Sequence, residues 1–153
     1  MLKGISLFSG MGGDTLGMIK AGVEVIGFNE NNKTAIESHK KNFGNCNIIG
    51  SIKDKFNILN IKDELFSKFA GEVDIIFAGF PCQGFSKAGK KMSNDPRNSL
   101  FREFTRTTKL IKPKYIIGEN VEGLLSRKTE DGGTFIDVIK EEFEKLGYTI
   151  YYK

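Results

Sequence analysis

Short apolar runs alternate with longer amphipathic stretches along these 153 residues, the pattern of parallel strands joined through covering helices. Apolar and β-branched residues concentrate at 4–9, 23–28, 47–49, 73–78, 115–118 and 148–152, and these segments are read as strands. The gaps carry helical spacing. Leu16, Ile19 and Lys20 sit in the first helix, Ala35, Ile36 and His39 in the second, and Leu65, Phe66 and Phe69 mark the third. The fourth sets Leu100, Phe101, Phe104, Thr108 and Ile111 on one side and Arg102, Arg106 and Lys109 on a neighbouring face, so one face packs and the other is basic. A fifth, over 134–146, carries Phe135, Val138, Ile139, Phe143 and Leu146 before Gly147, a C-terminal stop. The expectation is an α/β fold, a mostly parallel sheet with flanking helices, in one domain over 1–153 without repeat or linker.

Composition narrows the class. With 39% hydrophobic and 27% charged residues, 13 Phe and 3 Pro, the chain has the make-up of a folded globular domain. No apolar run approaches the roughly 20 residues of a membrane helix. The start, Met1-Leu2-Lys3-Gly4, lacks signal-peptide features. A cytoplasmic (nucleoid-associated) or nuclear location is expected. Cys46 and Cys82, with one His and no CxxC, point to neither a disulfide framework nor a metal site. The net charge of +4 is unevenly placed: 87–114 holds nine basic residues against Asp95 and Glu103. Such a segment is either the footprint of a polyanion partner or a solvated lysine-rich surface. Within it, 87–98 has no apolar period and is long for a connection in a compact domain.

The first strand runs into Ser9-Gly10-Met11-Gly12-Gly13, and helical pattern follows at once. Strand, glycine turn and helix N-terminus in this order let a ligand approach the backbone closely, although a plain tight βα turn reads the same way. Glu30, at the end of the second strand and 20 residues after Gly10, is placed to take two ribose hydroxyls. A dinucleotide fingerprint starting at Gly10 would need glycine at position 15, which is Thr15. S-adenosylmethionine, with ribose but no phosphate, suits the spacing better than NAD.

The fourth strand leads into Gly79-Phe80-Pro81-Cys82-Gln83-Gly84-Phe85-Ser86. Ligands of open parallel sheets bind beyond the carboxyl ends of the strands, where the glycine turn, Glu30 and Cys82 converge. Cys82, bounded by Gly and Pro and followed by basic residues, is a candidate nucleophile. Cys46 lacks organised neighbours and reads as a packing or surface thiol. The fifth strand delivers Glu119-Asn120-Val121 to the same edge, where partial burial of Glu119 would raise its pKa and make it a hydrogen-bond donor or general acid.

LFSGMGG, the NEN after the second strand, GFPCQGFS, DPRNSLF and ENVEGLL, in order over essentially the whole chain, resemble the motifs of the cytosine-5 methyltransferases that use S-adenosylmethionine. The resemblance implies a Rossmann-like S-adenosylmethionine-dependent methyltransferase fold. It implies methyl transfer to carbon 5 of cytosine in DNA, with Cys82 adding to carbon 6 and Glu119 holding ring nitrogen 3 and the exocyclic amine. Cofactor contacts are implied for Phe8, Ser9, Gly10, Met11, Gly12, Gly13, Glu30, Asn31, Ser51, Ile52 and Leu100. Nucleic-acid contacts are implied for Pro81, Gln83, Ser86, Lys91, Arg97 and Asn120. The 87–98 segment resembles the family's mobile catalytic loop, which closes over a cytosine flipped out of its stack.

Two departures accompany the match. Where the family usually has an acid contacting the adenine amino group, Gly50-Ser51-Ile52 offers Ser51. The chain also ends at Tyr151-Tyr152-Lys153, before the family's later arginine-bearing motif, target-recognition region and closing segments. In the family a later antiparallel strand separates the fifth strand from the last one here, so 148–152 would lack its neighbour and leave an apolar edge. The expectation is an N-terminal catalytic portion: a cut-down piece, a subunit of a split enzyme completed by a C-terminal partner, or a truncated gene product. A tRNA cytosine-5 methyltransferase, and a non-catalytic subunit binding cofactor or nucleic acid, are the alternatives.

Overall fold

The structure is a computed structural model that describes residues 1–81, 100–128 and 132–152. Five strands form one sheet in the order β3-β2-β1-β4-β5. They are β1 (Lys3–Leu7), β2 (Glu24–Asn29), β3 (Asn47–Ile48), β4 (Ile75–Ala78) and β5 (Tyr115–Gly118), and every pairing is parallel. Helices α1 (Gly13–Lys20), α2 (Lys33–Asn42), α3 (Asp63–Ser67), α4 (Leu100–Ile111) and α5 (Phe135–Glu144) fill the connections.

Alternation along the strands divides the core in two. On one face Met18 of α1 and Ile36 of α2 pack with Val25, Phe28 and Ile75. On the other, Phe66 of α3, Phe101, Phe104 and Ile111 of α4, and Ile139 and Phe143 of α5 cover Ile5, Leu7 and Ile76. Adjacent residues Ile75 and Ile76 thus serve opposite faces, as a strand buried on both sides requires. Full burial of each Phe or Ile side chain is worth about 1.5–3 kcal/mol, so α4 is the main clamp on the second face.

Local signals set the helix ends. Asn32 caps α2 by accepting from the Ala35 amide at 3.0 Å. Thr134 caps α5 through the Asp137 amide, and Gly147 ends the following turn in a left-handed conformation, φ +91°.

Two expectations are corrected. Residues 148–152 form no strand. Tyr148 and Ile150 pack against the core, and the Tyr148 hydroxyl donates to the Pro113 carbonyl at 2.6 Å, but no ladder partner is present among the described residues. Nor is the second face of α4 simply basic. The Arg106 guanidinium turns inward, donating to Glu103 at 2.8 Å, to Asp63, and to the carbonyls of Ile58 at 2.9 Å and Ile61 at 3.3 Å, while lying over the Phe66 ring. Its charge is spent on holding α4 to α3 and to the 3-10 turn Ile58–Asn60.

Candidate functional site

The site is built at the carboxyl ends of β1, β2, β4 and β5. β1 ends because Phe8 adopts φ +57°, a left-handed conformation rarely taken by an aromatic residue. Gly10 at φ +55° and Gly12 at φ +96° complete a tight reversal into α1. Gly12 is required twice over: a Cβ there would lie 2.4 Å from the Phe43 ring and 2.8 Å from His39. The turn therefore rests directly on two rings of α2 and its C-terminal end. α1 begins without a side-chain cap on Gly12; the Thr15 amide donates to Asp14 at 2.8 Å, and the Gly13 and Asp14 N–H groups are left available.

Glu30 joins β2 to this turn. Its Oε2 accepts from the Gly10 amide at 2.8 Å, and its Oε1 accepts from the amides of Asn31 and Asn32, each at 2.8 Å. Oε1 thus uses both of its lone-pair directions, while Oε2 keeps one for a ligand hydroxyl. Beneath the turn lies a buried polar group: Thr15 Oγ1 sits 3.0 Å from His39 Nε2, His39 stacks on Phe28 at 3.6 Å, and Ser6 donates to Asp14. Burial lowers the His39 pKa below its ordinary 6.5. Burial raises the Asp14 carboxyl, against the opposing Ser6 and Thr15 hydrogen bonds.

A cleft of about 260 Å³ opens here, walled by Phe8, Asn29, Glu30, Asn31, Asn57, Ile58, Gly79, Pro81 and Leu100. Phe8, Glu30, Asn31 and Leu100 were named from sequence as cofactor contacts, and Pro81 as a nucleic-acid contact. Ser9, Gly10, Met11, Gly12 and Gly13 form the adjoining turn rather than the cleft wall. Ser51 faces its own loop, donating through its hydroxyl to Asp54 at 2.8 Å, and Ile52 is 85% exposed. Asn29, Asn57, Ile58 and Gly79 were missed. Asn29 had a visible signal, as the residue before Glu30 at the end of β2.

β4 and β5 pair Ala78 with Gly118, and the Glu119 amide continues the ladder to the Ala78 carbonyl at 3.0 Å. Asn120 Nδ2 then donates to the Phe80 carbonyl at 2.9 Å. A Cβ at Gly79 would stand 3.4 Å from Glu119 Oε2, so the two strand ends are in close approach. Glu119 itself is exposed, which corrects the expected partial burial. β5 has no neighbour on its outer side among the described residues, and its carboxyl end stays open.

The description of the C-5 cytosine-specific DNA methylases matches residues 2–153. The chain belongs to that family. Among the chain's curated relatives, type II methyltransferase M.Eco47II of Escherichia coli is 37% identical over 96% of the chain and 33% of its own length. M.FnuDI of Fusobacterium nucleatum is 40% identical over 99% of the chain and 41% of its own length. The chain thus spans between a third and about two fifths of these relatives. Its structure resembles a putative DNA modification methyltransferase from an E. coli prophage, with TM-score 0.72 and 29% identity over 96% of this chain and 38% of that one. It also resembles a Spodoptera frugiperda DNMT2 variant, with TM-score 0.67 and 26% identity over 96% of this chain and 41% of that one. The fold is Rossmann-like, that of the S-adenosylmethionine-dependent methyltransferases.

Cys82, Gln83, Ser86, Lys91 and Arg97, with the whole 87–98 segment, lie outside the described residues. Cys46 is buried, and burial, with the Asp14 charge adding to it, pushes its thiol up to about 12. A thiol so disfavoured as thiolate is no nucleophile at neutral pH. Among the described residues no cluster of three or more His, Cys, Asp or Glu could hold a metal, and no helix is long and apolar enough to cross a membrane.

Proposed function

We propose that this chain is the N-terminal catalytic part of an enzyme that methylates carbon 5 of cytosine in DNA, with S-adenosylmethionine as donor. One observation carries the reading: a single cleft is walled by Glu30 at the end of β2 and by Gly79 and Pro81 on the approach to Cys82. A ligand whose ribose is held at Glu30 therefore has its other end beside Pro81, the residue that precedes Cys82 in sequence.

The residues present fit that cofactor. Ser9 Oγ is buried without a hydrogen-bond partner among the described residues, a polar atom a ligand would satisfy. Thr15 occupies the position where a pyrophosphate-binding turn needs glycine, and it is fully buried against His39. That favours a phosphate-free nucleoside. When bound, S-adenosylmethionine supplies a methyl group activated on a sulfonium.

The chain's own residues do the rest. The Cys82 thiolate adds to carbon 6 of cytosine, forming a C–S bond and moving the ring's electron pair towards carbon 5. Glu119, beside the Gly79 backbone, holds ring nitrogen 3 and the exocyclic amine as that charge develops. Carbon 5, made electron-rich by that addition, is the atom that would accept the methyl group from a cofactor held at Glu30 and the glycine turn. A base then removes the carbon 5 proton, and Cys82 leaves as thiolate as the double bond reforms. The cytosine must be out of its stack for the thiolate to reach carbon 6.

A further segment, on the same chain or on a partner subunit, completes the enzyme. The open outer side of β5, where Tyr115 is 59% and Ile117 45% exposed, supports this, as does a groove of about 640 Å³ between β5, α5 and 148–152. The test is transfer of labelled methyl groups to DNA and to tRNA, by the chain alone and with the C-terminal remainder of a relative. DNA methylation only with the remainder is expected. Methylation of tRNA instead of DNA, or sequence-specific methylation by the chain alone, would overturn this reading.

A further inference from the structure

Ser51 stands where an acid would otherwise meet the adenine, but its hydroxyl hydrogen and its amide hydrogen are both donated to Asp54, with the amide at 2.9 Å from Oδ1 and the hydroxyl at 2.8 Å from Oδ2, so it has no donor left for a ligand. Asp54 Oδ1 also takes the Phe56 amide at 2.8 Å. This pair closes its own loop and leaves the purine end of the cleft to another residue.

Topology locates that end. With the ribose at Glu30 on β2 and the transferred methyl directed towards Pro81 after β4, the base must extend the other way, towards the side of β3. There the cleft wall is Asn57 and Ile58. Asn57 caps the 3-10 turn, its Oδ1 accepting from the Leu59 amide at 3.1 Å. That bond fixes the flip of the amide and leaves Nδ2, a donor, with no acceptor among the described residues.

The wall is held from two sides. Buried Asn29 donates through Nδ2 to the carbonyls of Ile49 at 2.9 Å and Phe56 at 3.1 Å, fixing the chain just before Asn57. Arg106 takes the carbonyls of Ile58 and Ile61 just after it. Asn57 is therefore presented on a braced turn.

We propose that Asn57 is the residue that reads the adenine ring, its Nδ2 donating to a ring nitrogen. This rests on the cleft being the S-adenosylmethionine site, and it assigns to Asn57 a donor contact that the Ser51 hydroxyl, already donating to Asp54, does not make. Ile58 supplies an apolar surface beside it.

The experiment is calorimetric titration of the chain with S-adenosylhomocysteine and with its 1-deaza, 3-deaza and 7-deaza analogues. The variants are Asn57→Ala, Asn57→Ser and Ser51→Ala. Serine keeps a cap acceptor for the turn but lacks the reach and the amide donor, so it separates recognition from folding. Wild type should bind one deaza analogue about tenfold more weakly than the parent, the scale of one lost hydrogen bond. Both Asn57 variants should lose about that factor for the parent and should no longer discriminate against that analogue, while Ser51→Ala stays within twofold. Discrimination that survives in folded Asn57→Ser overturns the assignment to Asn57. Absence of any binding by folded wild type overturns it too, by removing the reading of the cleft on which it rests.

Discussion

Glu30 Oε2 accepts the backbone N–H of Gly10 at 2.8 Å across 20 residues of chain, so the carboxylate that would hold the ribose also pins the glycine turn. Glu30→Ala removes both. It should weaken S-adenosylmethionine binding by about 1.5–3 kcal/mol, the range for hydrogen bonds to a charged group. Glu30→Gln, which keeps an acceptor for Gly10, should lose less. Calorimetric titration measures both, and an unchanged dissociation constant in Glu30→Ala would reject the site.

The two cysteines should separate cleanly. A DNA oligonucleotide carrying 5-fluorocytosine should trap a covalent adduct with the completed enzyme, visible as a gel shift resistant to denaturation. Cys82→Ser should abolish trapping. Cys46→Ser should leave it intact, because the Cys46 thiol is buried and pushed up to about 12. Trapping that persists in Cys82→Ser sinks the nucleophile assignment.

Stability should fall on mild acidification through the one histidine of the chain. Burial lowers the His39 pKa in the folded state, so folding favours the neutral ring. Its contribution is fully present above the unfolded value of about 6.5 and is lost as pH falls from there towards the lower folded value. Asp14, raised by burial, acts with the opposite sign, gaining stability as pH falls. Melting temperature followed from pH 7.5 to pH 5 should therefore drop more steeply in wild type than in His39→Gln. Parallel curves would remove His39 as the cause.

Arg106 should matter to stability out of proportion to a surface cation. Its guanidinium is shared by two carboxylates and two carbonyls, and Arg106→Ala leaves those acceptors unmatched. A loss of about 2–3 kcal/mol is expected, below the full cost of breaking a buried pair because the site is partly solvated. Urea unfolding should show a lower midpoint with an unchanged slope. Arg106→Lys should recover only part of the loss, since an ammonium cannot reproduce the fork.

The readable parts of this fold are those whose cause is local. Strand β5 lies where its apolar run ends before Glu119, and Gly147 stops α5 because its backbone goes left-handed, as glycine does cheaply. The pairing of Glu30 with the Gly10 turn was approachable because strand-turn-helix geometry fixes where the next strand ends. Arg106 was misread for the converse reason. Periodicity assigns it a helix face, but its acceptors Ile58, Ile61 and Asp63 lie 43–48 residues earlier in the chain, and no spacing rule reaches that far. The 148–152 segment has strand composition, yet a strand exists only where a ladder partner does. Asn57 escaped notice because Asn in a turn usually serves only as a cap, and its free amide edge is visible only once the cleft is assembled.

The two ends of the sheet are unequal. β3 contributes only Asn47–Ile48, whereas β5 turns a full row of peptide groups and two half-exposed apolar side chains outwards. Among the described residues the longer open edge is therefore that of β5, and its single row of N–H and C=O groups can be claimed by only one strand at a time. Two copies of this chain joined antiparallel along β5 would occupy the same row that a completing strand needs. Self-association through that edge and assembly into a working enzyme are mutually exclusive outcomes, so the ratio of the two depends on concentration and on which strand arrives first.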